Sequence, residues 1–416
     1  MSSRKKWIFG FLLALLGLVL FMGARPQKCA DGLCADRHPD APAYGVPGAY
    51  PVGRRDFSTG EEPHLVLKVW YPALSQDGPE EGSDYSYEIK IGAPLGTVKM
   101  ASFAGRAIPE AAFDVARGPY PLVVLSPGFA VGATAYGWLA EHLASYGFVV
   151  IVPDHQETLD PQNELWRAAV TRPQDVLAVF DFVDAQVGSG GVFAGLVDAE
   201  VTAVIGHSYG GYTALAAAGA QIDTASFQAH CDAAIQTEDP TAWLCEMLLP
   251  RLAEMAELAG LDGVPEGLWP KTADPRVDAI VPMAGDAYFF GQPGLAQIDV
   301  PVLAIGGNLD SDTPFLWGPQ PTYDHTSSPR KALLALNDAE HMIFSNTCES
   351  VRWFAKPLAG EFCDDSVWNR NQAHDLIGHF TTAFLLAELK QDANAAAALV
   401  PDAVGFSDIT YVAQGY

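Results

Sequence analysis

A chain of 416 residues, 49% of them apolar, can bury a substantial core, and this composition excludes a disordered protein. Its 24 Lys and Arg against 50 Asp and Glu give a formal charge of −26, which excludes a nucleic-acid partner because a phosphate backbone would be repelled over most of the surface. The cysteine spacings match no common zinc pattern and no nucleotide-binding glycine loop of the usual spacing is present, so neither metal nor cofactor is expected.

At the N-terminus Arg4, Lys5 and Lys6 precede Trp7 to Gly23, an uncharged apolar run, so that a positive region feeds a hydrophobic one as in an export signal. The run is slightly long for a signal peptide and slightly short for a comfortable membrane span. Residues 1–24 are therefore expected to be a signal peptide or an N-terminal membrane anchor. Either way the protein is expected to be exported, to the periplasm, the medium or the outer face of a membrane. Six cysteines suit that compartment, and Cys29 with Cys34, Cys231 with Cys245, and Cys348 with Cys363 form three sequence-local couples. Residues 25–49, rich in Pro, Ala, Gly and Asp, read as a linker, and residues 50–416 as one domain.

Leu65 to Pro72 reads as a strand ended by proline, and Asp77 to Asp84 as turn chemistry. Residues 85–118 carry mixed strand and loop signals. A regular alternation follows. Leu122 to Ser126 and Phe148 to Val152 are short apolar strands, separated by an amphipathic helix from Ala135 to Tyr146 with Gly147 as its stop. Pro173 to Gln186 reads as a helix with proline in its first turn, and Val201 to Ile205 as a third strand. Val277 to Pro282, Val300 to Gly306 and Lys331 to Leu336 are three more; a helix from Ser366 to Lys390 and a tail without a clear pattern end the chain. Short apolar strands separated by helices imply an α/β fold, a mostly parallel sheet covered on both faces. Residues 221–275 are far longer than an ordinary connection and hold Cys231, Cys245 and a helical stretch from Thr241 to Leu258. They read as a helical lid over the C-terminal edge of the sheet, or else as a helical pair on its flank.

The third strand stops in Gly206-His207-Ser208-Tyr209-Gly210 and continues as an alanine-rich helix. Such a turn holds a serine in a strained conformation at the sheet edge, and the two glycines let the chain pass close by. A serine hydroxyl needs a base within reach and a carboxylate to orient that base, in the chain order Ser, acid, His. Of the histidines after Ser208, His230 lies in the lid, His325 precedes the Lys331 strand, and His374 and His379 sit in the C-terminal helix. Only His341 falls on a loop directly after a strand. Asp310, in the loop after the Val300 strand, is the expected acid; Asp286, after the preceding strand, is its rival and Asp312 the third choice. Donors for a developing oxyanion are expected from the backbone N–H of Tyr209 and of Phe129. Phe129, Trp138, Trp317 and Tyr288-Phe289-Phe290 are candidates to line an acyl or alcohol site, packing being their other reading.

Taken together, Tyr50-Pro51-Val52-Gly53, Val69 to Ala73, Pro121 to Phe129, Gly206 to Gly211 and Ala339-Glu340-His341 resemble an α/β-hydrolase branch. That branch holds platelet-activating-factor acetylhydrolases, dienelactone-hydrolase-like proteins and cutinase-like polyester hydrolases, and the resemblance covers most of residues 50–345. In the polyester hydrolases the residue matching Phe129 lends an oxyanion N–H and Asp310 matches the acid, whereas in the eukaryotic acetylhydrolases the acid matches Asp286. Ser208 departs from the cysteine nucleophile of dienelactone hydrolases proper, and the long lid departs from the compact cutinase-like pattern. The resemblance implies an α/β-hydrolase fold with a lid and an exported serine carboxylic-ester hydrolase, using Ser208, His341 and Asp310 on short-acyl or lipid esters. A polyester hydrolase, a non-catalytic surface binding protein and a peptidase are the alternatives. The expected partners are a small-molecule or lipid ester, and a membrane through the N-terminal segment.

Overall fold

The structure, a computed structural model, describes residues 41–60, 63–75, 82–347 and 365–416. The N-terminal apolar run and the Cys29–Cys34 and Cys348–Cys363 couples lie outside the described residues. Among the described residues no helix is long and apolar enough to cross a membrane.

The strands are β1 (Val52–Ser58), β2 (Val66–Pro72), β3 (Asp84–Gly92), β4 (Gly96–Ala104), β5 (Ile108–Pro109), β6 (Tyr120–Ser126), β7 (Val149–Asp154), β8 (Val197–His207), β9 (Val277–Met283), β10 (Val302–Gly307), β11 (Lys331–Leu336) and β12 (Ile409–Gln414). The main sheet runs β12-β11-β10-β9-β8-β6-β7-β2-β1-β5. From β11 through β7 its strands are parallel, while β12 and β2 pair antiparallel with the parallel block. Along β6, Leu122 and Val124 join the core on one face of the sheet, Val123 and Leu125 the core on the other. A strand buried on both faces has no polar side to show, which is why these strands read as unbroken apolar runs.

The helices are α1 (Gly137–Ser145), α2 (Pro161–Val187), α3 (Tyr209–Ala217), α4 (Thr224–Gln236), α5 (Ala242–Leu248), α6 (Leu252–Leu258), α7 (Gly291–Leu295), α8 (Pro319–His325), α9 (Arg370–Lys390) and α10 (Ala393–Ala398). Helices α2 and α3 cover one face of the sheet, α1 and α9 the other.

One expected helix start needs correction. The helix expected from Pro173 begins instead at Pro161, with Pro173 inside it. A proline there leaves the carbonyl four residues back without its helical donor; the Tyr212 hydroxyl supplies one, donating to the Ala169 carbonyl at 2.8 Å. The mixed signals of residues 85–118 resolve into a β3–β4 hairpin whose alternating Tyr85, Tyr87 and Ile89 are buried. The tail, without a clear pattern in the sequence, contributes β12, which pairs antiparallel with β11.

Residues 221–275 carry α4, α5 and α6, and the Cys231–Cys245 disulfide joins α4 to α5. Pro250 splits the expected Thr241–Leu258 helix into α5, a short 3-10 turn and α6. The insertion serves both of its sequence readings. Trp243 and Leu244 of α5 border the same cavity as Ser208, while α6 packs on α2.

Candidate active site

Ser208 sits between β8 and α3 at φ 58° and ψ −123°, a backbone region disfavoured for any residue with a side chain. The strain is tolerated because the neighbours leave no choice. A Cβ at Gly206 would collide with the Gly210 carbonyl, and one at Gly210 with the Ser126 carbonyl. The Ser208 N–H is tied to the Met283 carbonyl at 2.9 Å, and the residue stays partly exposed.

His341 lies just past β11 and Asp310 just past β10, so two parallel neighbours deliver both side chains to one sheet edge. His341 Nδ1 and Asp310 Oδ2 are 2.7 Å apart. The other carboxylate oxygen of Asp310 accepts the backbone N–H groups of Asp312 and Thr313 at 2.9 and 2.8 Å. Burial works to lower the imidazole pKa, but the charge and hydrogen bond of Asp310, with Asp312 and Asp286 behind it, raise it to about 9. Asp286 is buried nearby and accepts the Thr313 hydroxyl at 3.0 Å. Burial lifts its carboxyl to about 7, although His341 and the Thr313 bond pull the other way. The structure thus pairs His341 with Asp310 and leaves Asp286 bonded to Thr313. Asp312, the third choice, is exposed.

Ser208, His341, Asp286 and Asp312 border one cavity of about 230 Å³, with Phe129, Tyr209, Trp243 and Leu244 among its walls. Tyr209 is the first residue of α3, where a backbone N–H has no intrahelical acceptor. The loop that carries Phe129 is held from behind. Buried Arg172 donates to the Pro127 carbonyl at 2.7 Å and the Gly128 carbonyl at 3.0 Å. It also pairs with buried Glu157, which accepts the Ala130 N–H at 3.0 Å. Burial favours the neutral form of Glu157, yet the Arg172 charge and hydrogen bonds hold its carboxyl at about 2. Because a peptide unit is planar and trans, fixing the Gly128 carbonyl aims the Phe129 N–H the opposite way.

Most of the expected aromatic lining is elsewhere. Trp138 stacks on His374 at 3.8 Å and donates to the Phe344 carbonyl, in the core on the α1 and α9 face. Trp317 packs on Tyr288 and His230, and Tyr288, Phe289 and Phe290 belong to the core beneath the insertion. Of these candidates only Phe129 borders the cavity. Sequence reasoning missed Arg172, Glu157, Tyr136 and His207. The available signal was a polar cluster, Asp154-His155-Gln156-Glu157, directly after an apolar strand.

Residues 109–240 match a family model described as PET hydrolase-like, and residues 42–161 one described as platelet-activating factor acetylhydrolase, isoform II. The first contains Phe129 and Ser208; the second ends before Ser208. A bis(hydroxyethyl) terephthalate hydrolase of Streptomyces coelicolor is 26% identical over 232 residues, 53% of this chain and 64% of the relative. Cutinase est1 of Thermobifida alba is 26% identical over 247 residues, 59% of this chain and 62% of the relative. Cutinase est2 of the same organism is 34% identical over 92 residues, 22% of this chain and 28% of the relative. The chain therefore spans less than two thirds of the length of these curated relatives.

Proposed function

Since the chain belongs to the α/β-hydrolase superfamily and is related to serine hydrolases of the cutinase and acetylhydrolase families, we propose that it is an exported serine carboxylic-ester hydrolase. Ser208 Oγ attacks the ester carbonyl while His341 Nε2 takes its proton, then returns it to the leaving alcohol. Asp310 holds His341 in the tautomer with Nδ1–H and stabilises the imidazolium. The N–H groups of Phe129 and Tyr209 receive the oxyanion. Water then releases the acyl-enzyme by the same steps. The observation that carries this reading is that His341, hydrogen-bonded to Asp310, borders the same cavity as Ser208.

The relatives' names, two cutinases and a terephthalate-ester hydrolase, support the polyester-hydrolase side of the sequence expectation over the acetylhydrolase side. The overhang of Trp243 and Leu244 favours small soluble esters over the face of a polymer. Export is supported by the basic and apolar N-terminus, and by the Cys231–Cys245 disulfide, a bond of oxidising compartments.

The test is hydrolysis of p-nitrophenyl acetate and butyrate by the protein and its Ser208→Ala variant. The variant should be slower by at least about 10³-fold, and comparable rates would sink the proposal. A hydrolase fold can persist without turnover, so fluorophosphonate labelling of Ser208 separates an enzyme from a binding protein. Release of product from a soluble terephthalate diester but not from polyester film would support the small-ester reading.

A further inference from the structure

We infer that Tyr136 and His207 are positioning residues, carrying a hydrogen-bond chain of fixed direction from the oxyanion loop to the backbone of His341. The inference rests on the ester-hydrolase reading above.

The direction follows from the two ends, which are backbone groups. A Gly128 N–H can only donate, and the Tyr136 hydroxyl oxygen lies 3.1 Å from it. At the far end the His341 carbonyl can only accept, so His207 Nε2, 2.9 Å away, carries the proton. A neutral imidazole has one N–H, which leaves Nδ1 as an acceptor. The Tyr136 hydroxyl, 2.8 Å from Nδ1, therefore donates to it. One arrangement of protons satisfies every group, and it excludes a charged His207. Its surroundings agree: burial and the positive charge of His341 push the His207 pKa well below the ordinary histidine value.

Each member stands on a different part of the site. Gly128 begins the oxyanion loop, Tyr136 ends the 3-10 turn that follows it, and His207 immediately precedes Ser208. Tyr136 and His207 are 0% and 1% exposed. A Cβ at Gly128 would sit 3.0 Å from the Tyr136 hydroxyl, closer than an ordinary contact, so a side chain there would press on the Tyr136 end of the chain. Tyr136 thus fixes the Gly128 N–H while Arg172 fixes its carbonyl. The Phe129 N–H is held in register with both Ser208 and His341.

Tyr136→Phe removes the hydroxyl and keeps the ring. Its kcat for p-nitrophenyl butyrate should fall about 10- to 100-fold, less than for outright loss of an oxyanion donor, with KM within about threefold of wild type. His207→Leu should fall similarly, and the double variant no further than the worse single, because either change breaks the same chain. His207→Gln, which can donate to the His341 carbonyl and accept from Tyr136, should recover most of the loss. In parallel, hydrogen exchange of the peptide containing Gly128 should quicken in Tyr136→Phe below its melting range. Turnover within about threefold of wild type, losses that multiply in the double variant, or unchanged exchange would each overturn the inference. Exchange needs no turnover. A wild-type protein inactive on esters would refute the ester reading, and the exchange result would still decide whether Tyr136 anchors the loop.

Discussion

Two sets of serine, histidine and aspartate stand among the described residues. In one, Ser126 Oγ lies 2.9 Å from His155 Nε2, and His155 Nδ1 lies 2.6 Å from Asp175. In the other, Ser208 borders the cavity with His341, whose Nδ1 lies 2.7 Å from Asp310. The residue types and the imidazole–carboxylate bond are the same; the surroundings are not. Ser126 is fully buried at the end of a regular strand, its hydroxyl committed to His155. Ser208 is partly exposed on a turn at positive φ. Burial and then the Arg172 charge keep the His155 pKa low against the pull of Asp175. For His341 burial is outweighed by Asp310, Asp312 and Asp286. A base that must become an imidazolium in mid-reaction needs the second environment. Residue types alone do not make a triad; access, strain and local charge do.

The sharpest way to break this comparison is to exchange each carboxylate for its amide. An Asn at 310 keeps Oδ1 for the Asp312 and Thr313 N–H groups and turns its amide donors to His341 Nδ1. The imidazole must then place its proton on Nε2, where it cannot accept one from Ser208. Asp310→Asn should therefore lower kcat by about 10³- to 10⁴-fold. Asp175→Asn should leave kcat within about tenfold and instead cost about 1–3 kcal/mol of stability, the penalty of an ill-matched buried hydrogen bond. Turnover of p-nitrophenyl butyrate and urea melts read both. A larger loss of turnover in Asp286→Asn than in Asp310→Asn would transfer the acid's role to Asp286.

The next effect is on pH dependence. In the proposed mechanism His341 acts as base only when neutral, and with its pKa raised to about 9 it is mostly protonated at neutral pH. The ratio kcat/KM should climb about tenfold per pH unit from neutrality and level off around that value. Stability should move the opposite way. A folded pKa raised from 6.5 to about 9 gives stabilisation that is complete below the unfolded value and lost as pH rises through the folded one. Asp286, raised from 3.8 to about 7, has the same sign at lower pH. In Asp310→Asn the residual activity should have its acid limb at lower pH, and a flat wild-type profile over this range would refute the assignment.

The readable parts of the site were those that local sequence determines. An apolar strand running into Gly206-His207-Ser208-Tyr209-Gly210 specifies the elbow because the glycines answer a clash within a few residues and with the adjacent strand. His341 and Asp310 were readable because each follows its own strand in a parallel block. What sets the proposed oxyanion loop was not readable, since Arg172 reaches it from 44 and 45 residues away and Tyr136 meets His207 from 71. The start of α2 was misplaced for the same kind of reason. A proline reads as a helix start unless one knows that a tyrosine on another helix will satisfy the carbonyl it orphans. Trp138 follows its packing reading, and the sequence left the choice open because helical spacing shows which residues share a face, but not which side of the sheet that face meets.

The smallest expected effects concern the insertion, which differs from the sheet edge in how it is held. Its root is stapled by Cys231–Cys245, both fully buried, and packed through Phe227 onto Phe289. Toward the site it is joined to the Asp310 loop by the Thr241 hydroxyl, which donates to the Ser311 carbonyl at 3.3 Å. Trp243, 40% exposed and two residues past Thr241, borders the cavity. On the proposed mechanism the arrangement leaves the catalytic geometry to the sheet and the choice of substrate to the overhang. Trp243→Ala should thus raise kcat/KM for p-nitrophenyl hexanoate relative to acetate by roughly 3- to 10-fold, the scale of burying one or two methylenes. The acetate rate itself should change little. Removing the staple by Cys231→Ser with Cys245→Ser should weaken the insertion by up to about 3 kcal/mol and blur the same chain-length preference without shifting the pH limb. If Trp243→Ala instead lowered the acetate rate and left the ratio alone, the overhang would be supporting the catalytic geometry, and the division between sheet edge and insertion would fail.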